Sequence, residues 1–264
     1  MSAGRPLRLL AAAFLAAGAS GAAGSGLSLS VDPPRQELKV APGREATATL
    51  EVRNPGDAPV TLRLKSEPFT VDEDGNVHTG RVAAGPHDAT EWLRVSPGGT
   101  VVAPGESAVV RVTTRPPEGA QGTYWALVYA ETAAPESKES GRGPEPVGMG
   151  LRLGSFLYVV VGSPGPAAAD ADLSASRDAE GVLACATVSH VSGSVLRLRA
   201  AWRAVDARGA VVAESEDEFA VLPDGRRRLT WRPEGNAVSR VFLALTGGVT
   251  LRREAPVAGG SPPP

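Results

Sequence analysis

Hydrophobic and polar residues alternate along most of this 264-residue chain, in short runs separated by turns rich in glycine and proline. A period of two places the apolar side chains on one face of a β-strand, so each run predicts a strand with one buried face. The first set of runs covers residues 27–40, 46–53, 60–65, 91–95, 107–113, 122–132 and 147–161. Seven strands at this turn spacing are typical of a β-sandwich.

The last run of this set is the one on which our functional interpretation depends. Its first half places four apolar residues on one face: Val147, Met149, Leu151 and Leu153. From residue 156 to residue 161 the run is continuously apolar, which predicts a strand buried on both faces. Two interpretations remain open for the alternating half. It is an ordinary strand of the sandwich, or it is an edge that lends its apolar row to another chain.

Two further segments of the first set carry specific expectations. The first run is interrupted by Pro33 and Pro34, and proline cannot donate to a sheet. We therefore expect an edge strand or a strand that switches between sheets. The runs 46–53 and 60–65 flank a strong turn sequence at 54–57, which predicts that they pair as a hairpin.

The acidic segment Asp72-Glu73-Asp74-Gly75-Asn76 lies between two extended segments. Asp-Gly at such a position predicts a hairpin turn. The alternative is a calcium loop, because Asp-x-Asp-Gly resembles part of an oxygen-ligand loop. The remaining spacing of that loop and its distant glutamate are missing, so the hairpin is favoured.

A second set of strands follows a linker rich in proline, glycine and alanine at 163–169. The runs are 182–188, 195–205, 210–214, 218–222, 228–231, 238–245 and 249–252. The sequence thus predicts an all-β protein with two β-sandwich domains in tandem, at 27–162 and 167–256. Residues 257–264 are expected to be a disordered tail.

The N-terminus has the pattern of a secretory signal peptide over residues 1–23. Arg5 and Arg8 precede an apolar run at 9–17, and Gly21-Ala22-Ala23 is a suitable cleavage site. The run is too short for a confident transmembrane span. We therefore expect an exported mature protein without a membrane span. Loss of the two arginines would change its formal charge from −2 to −4.

The composition favours no catalytic or nucleic-acid chemistry. The negative formal charge gives no basic patch for nucleic acid. His78, His87 and His190 lie far apart, and no Cys/His spacing predicts a metal site. The single cysteine, Cys185, is expected to be a buried, inert thiol in a strand. The sequence therefore predicts neither an enzyme nor a protein with a cofactor.

The order of four motifs resembles the periplasmic pilus-assembly chaperones of the chaperone–usher pathway. Ser30-Val31-Asp32-Pro33-Pro34-Arg35 resembles that family's first strand, which ends in a basic residue. Val52-Arg53-Asn54 resembles a strand end of the family, and the segment from Trp92-Leu93 to Arg111-Val112 resembles the middle of its first domain. The apolar row Val147, Met149, Leu151 and Leu153 resembles the family's subunit-binding strand.

This resemblance implies two immunoglobulin-like domains and a periplasmic chaperone that donates a strand to pilin-like or surface-fibre subunits. An outer-membrane usher is implied as a further partner. The family clamps the subunit's terminal carboxylate between two basic residues, for which Arg35 and Arg152 are the candidates in this chain. The alternatives are that Arg35 is a solvated strand-end arginine and that the protein is a secreted structural or adhesive module without strand donation.

Overall fold

The computed structural model describes residues 28–132, 150–235 and 237–259. Its regular structure in these ranges consists of β-strands and one short 3-10 turn at Thr90–Trp92. The strands form two tandem β-sandwiches, which confirms the predicted fold class. The segments predicted as a signal peptide (1–23) and as most of the tail (260–264) lie outside the described residues. No helix in the described part of the chain is long and apolar enough to span a membrane.

Eleven strands build the N-terminal domain. In chain order they are β1 (Ser30–Asp32), β2 (Arg35–Val40), β3 (Ala46–Arg53), β4 (Val60–Glu67), β5 (Thr70–Val71), β6 (Val77–His78), β7 (Leu93–Ser96), β8 (Gly99–Val102), β9 (Ser107–Thr114), β10 (Gly122–Thr132) and β11 (Arg152–Val161). One sheet has the order β1-β3-β9-β7, and the facing sheet has the order β2-β11-β10-β4-β8. This distribution of strands between two sheets is that of an immunoglobulin-like sandwich.

The two prolines divide the first run between the two sheets, as the sequence predicts. β1 pairs with β3, with Val31 opposite Val52, whereas β2 pairs in parallel with β11, beginning with Arg35 opposite Phe156. The small hairpin of β5 and β6 also forms around the acidic segment, as predicted. The switch at Pro33 and Pro34 means that β2 lies beside β11 only from Phe156 onwards.

The expected hairpin between residues 46–53 and 60–65 is wrong. β3 pairs with β1 and β9, whereas β4 pairs with β10 and β8 in the other sheet. Asn54 explains the crossing, because its fully buried side chain holds a corner rather than a tight turn. Its Nδ2 donates to the carbonyls of Ala58 (2.7 Å) and Val102 (3.0 Å), and its Oδ1 accepts from the Gly56 amide.

Seven strands build the C-terminal domain: β12 (Ala168–Asp178), β13 (Gly181–Ser192), β14 (Leu196–Val205), β15 (Val211–Val221), β16 (Arg226–Trp231), β17 (Arg240–Gly247) and β18 (Leu251–Ala258). They form one hydrogen-bonded order, β15-β14-β17-β18-β12-β13-β16. The sheet folds over on itself at β18, and the enclosed core is aliphatic around Trp202.

Three expectations for this domain need correction. β12 was missed because its inward residues are mostly small: Ala171 and Ala175 bury little area and give a weak alternation. The runs 210–214 and 218–222 are one strand, β15, since its polar middle lies on a sheet edge where charged side chains stay solvated. β18 continues to Ala258, two residues into the predicted tail, because it crosses from β17 to pair with β12.

Two smaller expectations also change. β8 forms between the predicted runs 91–95 and 107–113, where no strand is expected, and it pairs with β4. Cys185 is a free thiol and is partly exposed rather than buried. It lies on the outer face of β13, between the inward-facing residues Ala184 and Ala186.

We predict that Asn54→Ala destabilises the N-terminal domain by about 2–3 kcal/mol, because buried carbonyl groups lose their donor. Urea unfolding followed by tryptophan fluorescence measures this change. The matched control is Ser107→Ala, which removes an exposed hydrogen bond to Glu51 and should change the free energy of unfolding by less than about 0.5 kcal/mol. Equal effects of the two substitutions would show that the Asn54 corner is not required.

Candidate functional site

β11 presents different side chains to the two faces of its sheet. Leu157, Val159 and Val161 belong to the core of the N-terminal sandwich. Phe156 and Tyr158 point the other way, into a cluster at the junction with the C-terminal domain. The segment 157–161 is buried throughout, as expected of a strand covered on both faces.

One edge of β11 is open over its first four residues. β2 pairs with β11 only from Phe156 to Val161, and no other described strand is hydrogen-bonded to Arg152–Ser155 on that edge. The Thr132 amide donates to the Leu151 carbonyl, and the Phe156 amide donates to the Pro34 carbonyl. Because peptide groups in a strand alternate in direction, those of Arg152 and Gly154 therefore face the open edge.

The apolar row of the sequence analysis lies only partly within the described residues. Val147 and Met149 lie outside them. Leu151 and Leu153 are half-buried and pack against the sandwich core, in line with Leu157. The row therefore continues the core face of β11 to the open end of the sandwich, where it is incompletely covered.

Arg152 is held by two neighbours on the outer face of the sheet. Its guanidinium forms a salt bridge with Glu67, and its Cζ lies 3.5 Å from the centre of the Tyr129 ring. Burial raises the pKa of the Tyr129 hydroxyl, and the positive charge of Arg152 acts in the opposite direction. Both contacts orient Arg152 toward β10 and β4.

The structure does not bring Arg152 and Arg35 together. Arg35 lies opposite Phe156, which is four residues beyond Arg152, or about 13 Å along the strand. The position on β11 next to Arg35 is therefore aromatic. The two arginines suggested by the family resemblance do not form one site in this structure.

Arg35 instead lines a cavity of about 530 Å³ at the domain junction. Its other charged lining residues are Arg197, Arg199 and Glu218, all from the C-terminal domain. Arg35 is exposed and forms no ion pair with another described residue. Arg199 is paired with Glu216 at 2.8 Å, on the solvent side of β14 and β15. The cavity thus combines arginines from both domains.

Arg197 connects this cavity to β11. Its Nη1 donates to Glu37 at 3.1 Å, and its Cζ lies 5.8 Å from the centre of the Tyr158 ring. Burial raises the pKa of the Tyr158 hydroxyl, while the charges of Arg197 and Arg35 both act to lower it. Tyr158 therefore lies within the field of both guanidinium groups. No sequence pattern links Arg197 to Arg35, because alternation only places Arg197 on an outward face.

The apolar part of the domain junction is a cluster of six buried residues: Phe69, Leu127, Tyr129, Tyr158, Val195 and Leu222. The first four belong to the N-terminal domain and the last two to loops beside β14 and β15 of the C-terminal domain. The rings of Phe69 and Phe156 meet edge to face at 4.9 Å. This cluster buries the Tyr158 ring, which the Arg197 guanidinium approaches from the C-terminal domain.

Polar contacts flank the cluster. His87 Nε2 lies 2.9 Å from the Asp224 carboxylate of the other domain, and the His87 ring stacks on Trp125. Arg228 contacts Glu73 at 2.9 Å and Asp74 at 3.4 Å. The acidic segment predicted as a hairpin or a calcium loop is thus a hairpin that contacts the C-terminal domain.

The three histidines have separate surroundings. The Asp72 carboxylate accepts hydrogen bonds from Asn76 and lies 2.9 Å from His78. The contact with His78 and, to a smaller extent, the bonds from Asn76 hold the pKa of that carboxyl well below its usual range. His190 contacts the Ser194 carbonyl. In the described ranges, no group of three or more His, Cys, Asp or Glu side chains could hold a metal ion.

A larger cavity, of about 850 Å³, lies on the outer sheet face of the C-terminal domain, around Ala201, Ala244 and Phe242. Arg203 on its wall is paired with Glu214 at 2.9 Å. It shares no lining residue with the junction cavity.

We place the candidate site at the open edge of β11 and the junction cavity beside it.

No family model matches this chain, and no curated protein does. Solved structures are similar to it. The class 5 fimbriae chaperone CfaA has 13% sequence identity, with 86% of this chain and 99% of CfaA covered, at a TM-score of 0.45. The Escherichia coli chaperone DraB has 14% identity, with 88% and 97% covered, at 0.44.

A third structure is the pre-assembly complex of CsuC with the tip subunit CsuE, from the Csu pili of Acinetobacter baumannii. It has 10% identity, with 88% of this chain and 99% of that chain covered, at a TM-score of 0.46. The solved structures similar to the chain thus include fimbrial chaperones, the class of protein that the sequence resembles.

Proposed function

We propose that this protein is a periplasmic chaperone that binds subunits of a pilus or another surface fibre through the open edge of β11. The observation that carries the proposal is that Arg152–Ser155 pairs with β10 on one edge and with no described strand on the other, next to the half-buried side chains of Leu151 and Leu153. An incoming strand would receive main-chain hydrogen bonds from the edge. The domain of the subunit that carries this strand would cover the incompletely buried leucines. Such addition of a strand to a sheet edge is β-augmentation.

The periodicity of β11 suits this mode of binding. Leu151 and Leu153 share one face with the core residue Leu157, so one apolar row can serve two sandwiches. Complete burial of such a side chain contributes roughly 1.5–3 kcal/mol relative to full exposure, and each leucine is already half-buried. Val147 and Met149 extend the proposed row by two more residues with the same alternation.

Arg35 is proposed to bind the terminal carboxylate of the subunit, which is the role that the family resemblance implies. Its guanidinium is exposed at the point where β2 begins. For Arg152 we propose a different part in the same function: its contacts with Glu67 and Tyr129 hold the start of β11 extended. Export to the periplasm and an outer-membrane usher belong to the same proposal.

A structural or adhesive surface module without strand donation is the second candidate. It is favoured by the packing of Leu151 and Leu153 against the core of their own domain. In that case the leucines would be ordinary core residues at the end of a sandwich. The two candidates differ because only strand donation would cover the open edge and bury this row when the protein binds a partner.

The open edge predicts a specific pattern of amide exchange. In the free protein, the amides of Arg152 and Gly154 should exchange rapidly, and those of Leu153 and Ser155, which face β10, should be protected. NMR-detected hydrogen exchange measures each site. On binding a subunit strand, Arg152 and Gly154 should become protected. Their protection in the free protein would show that another part of this chain already covers the edge.

The second prediction concerns Leu153. Leu153→Glu should abolish capture of subunits, because an unpaired charge in an apolar groove is strongly disfavoured, while folding survives if the row is peripheral to the core. The control is Val101→Glu on β8, since Val101 is 63% exposed on a strand remote from β11. Purification of the tagged protein from periplasm, followed by mass spectrometry, identifies what it captures.

Thermal melting of both variants separates the two candidate functions. An unchanged melting temperature with loss of capture in Leu153→Glu alone supports strand donation. Unfolding of Leu153→Glu would assign the leucine to the domain's own core and favour the surface module. A folded variant that still captures its subunit would exclude this edge as the binding strand.

A further inference from the structure

The two ends of the C-terminal sheet carry opposite charges. Its hydrogen-bonded order begins with β15 and ends with β16, so each of these strands has a described strand beside it on one edge only. β15 carries carboxylates at positions 214, 216, 217 and 218, whereas β16 begins with three consecutive arginines, at 226–228. Because a free strand edge presents unpaired main-chain donors and acceptors, each end is a place where another strand can add.

The N-terminal domain covers the free edge of β16. The His190 amide donates to the Gly225 carbonyl, so the peptide group of Gly225 faces β13 and, by alternation, that of Arg228 faces away from it. The Arg228 amide donates to the Glu73 carbonyl at 2.6 Å. Glu73 lies in the tip of the β5–β6 hairpin, at residues 72–76. The hairpin tip therefore occupies the main-chain edge of β16.

Side chains match the hairpin tip to this edge in charge and in shape. The Arg228 guanidinium contacts Glu73 at 2.9 Å and Asp74 at 3.4 Å. The Arg227 guanidinium fills the space beside Gly75, where an added Cβ would overlap it. Gly75 also has a φ of +84°, in the left-handed region that favours glycine. The contact therefore depends on a glycine at this position of the tip.

The hairpin tip keeps its shape through its own hydrogen bonds. The Asp72 carboxylate accepts from the Asn76 amide at 2.8 Å and from Asn76 Nδ2 at 3.0 Å, and it lies 2.9 Å from His78. The Gly75 amide donates to the Asp72 carbonyl at 3.0 Å. Because these bonds lie within the hairpin, the acidic tip is preformed for its contact with β16.

The acidic strand β15 carries the same kind of charge as the hairpin tip. Glu214 and Glu216 are paired with arginines of β14. Asp217 and Glu218 are exposed and form no ion pair with another residue in the described ranges. β15 of a second copy therefore offers the β16 edge both a free backbone ladder and carboxylates for its arginines.

We propose that the β5–β6 hairpin guards the β16 edge, and that β15 of a second copy adds to this edge when the hairpin is displaced. The hairpin competes with the second copy for the same site, and its position within the chain gives it a high effective concentration. The inference is independent of strand docking at β11, which lies in the other domain. It accounts for the acidic tip and for the arginines 226–228, which the function proposed above does not use.

The test displaces the hairpin tip in two ways. Gly75→Val places a β-branched side chain in the space of the Arg227 guanidinium, so the tip cannot keep its present contact. The matched control is Gly80→Val, because Gly80 has a similar φ of +87° and no atom within 4 Å of an added Cβ. A third variant replaces residues 72–76 by two glycines and removes the tip outright.

Hydrogen exchange of the Arg228 amide, measured in dilute solution, reports whether the edge is covered. This amide should be protected in the unsubstituted chain and in Gly80→Val. In Gly75→Val and in the variant without the tip it should exchange faster by about tenfold or more. Protection that persists without the tip would show that the hairpin does not cover this edge, and the proposal would be overturned.

Sedimentation velocity over about a hundredfold range of concentration measures association. Gly75→Val and the variant without the tip should associate as the concentration rises, and more strongly than the unsubstituted chain or Gly80→Val. Addition of Asp217→Lys and Glu218→Lys to the variant without the tip should reverse the association, because lysines would then face the arginines of β16. High salt should weaken it as well, since these side chains are exposed.

The remaining outcomes decide which strand adds to β16. An Arg228 amide that is exposed without any gain in association would exclude a second copy as the occupant of the edge. Association that persists with the two lysines would assign it to another surface and would overturn the role of β15. Thermal melting of each variant verifies that both domains remain folded, and the variant without the tip carries the test if Gly75→Val unfolds.

Discussion

The missing amide donors of Pro33 and Pro34 are the constraint on which the rest of this structure depends. A proline nitrogen cannot donate to a sheet ladder, so the first strand cannot continue through this pair. The chain divides into β1, which joins one sheet, and β2, which joins the other only from Arg35 onwards. The open edge of β11, its length and the position of Arg35 at its end all follow from this division.

An open sheet edge is a hazard that proteins restrict, and several features restrict this one. The edge is four residues long, and it begins with the charged side chain of Arg152. Gly154 adds no side chain, and a Cβ at that position would lie 2.9 Å from the Val128 carbonyl oxygen. A partner must therefore match both the short backbone ladder and the leucine row, which favours a specific strand over general association.

Alternation in the sequence predicted the strands of the N-terminal domain well because their inward residues are large. It failed where burial depends on small residues, as in β12, and where a polar strand lies at an edge, as in β15. It also could not distinguish the Asn54 corner from a hairpin turn, since the two differ in which strands pair, and pairing is a long-range property. Local sequence predicted the turn but not the crossing.

The candidate site divides in the same way. The row containing Leu151 and Leu153 could be found from its period, and Arg35 from the resemblance of the segment 30–35 to the first strand of the chaperone family. The association of Arg35 with Arg197 could not, because 162 residues separate them and only the packing of the two domains brings them to one cavity. Strand register within the N-terminal domain separates Arg152 from Arg35, since it places the two about 13 Å apart along β11.

The pair of Arg197 and Glu37 decides whether the junction cavity can bind an anion at all. Both side chains are about one-third exposed, so the pair itself contributes little to stability. Arginine carries five donors, and only one bond to Glu37 is made, which leaves Arg197 able to bind a second carboxylate. Glu37 therefore orients Arg197 and leaves its other donors available. Because Glu37 and Tyr158 already restrict Arg197, binding of an anion would cost little further entropy in ordering that side chain.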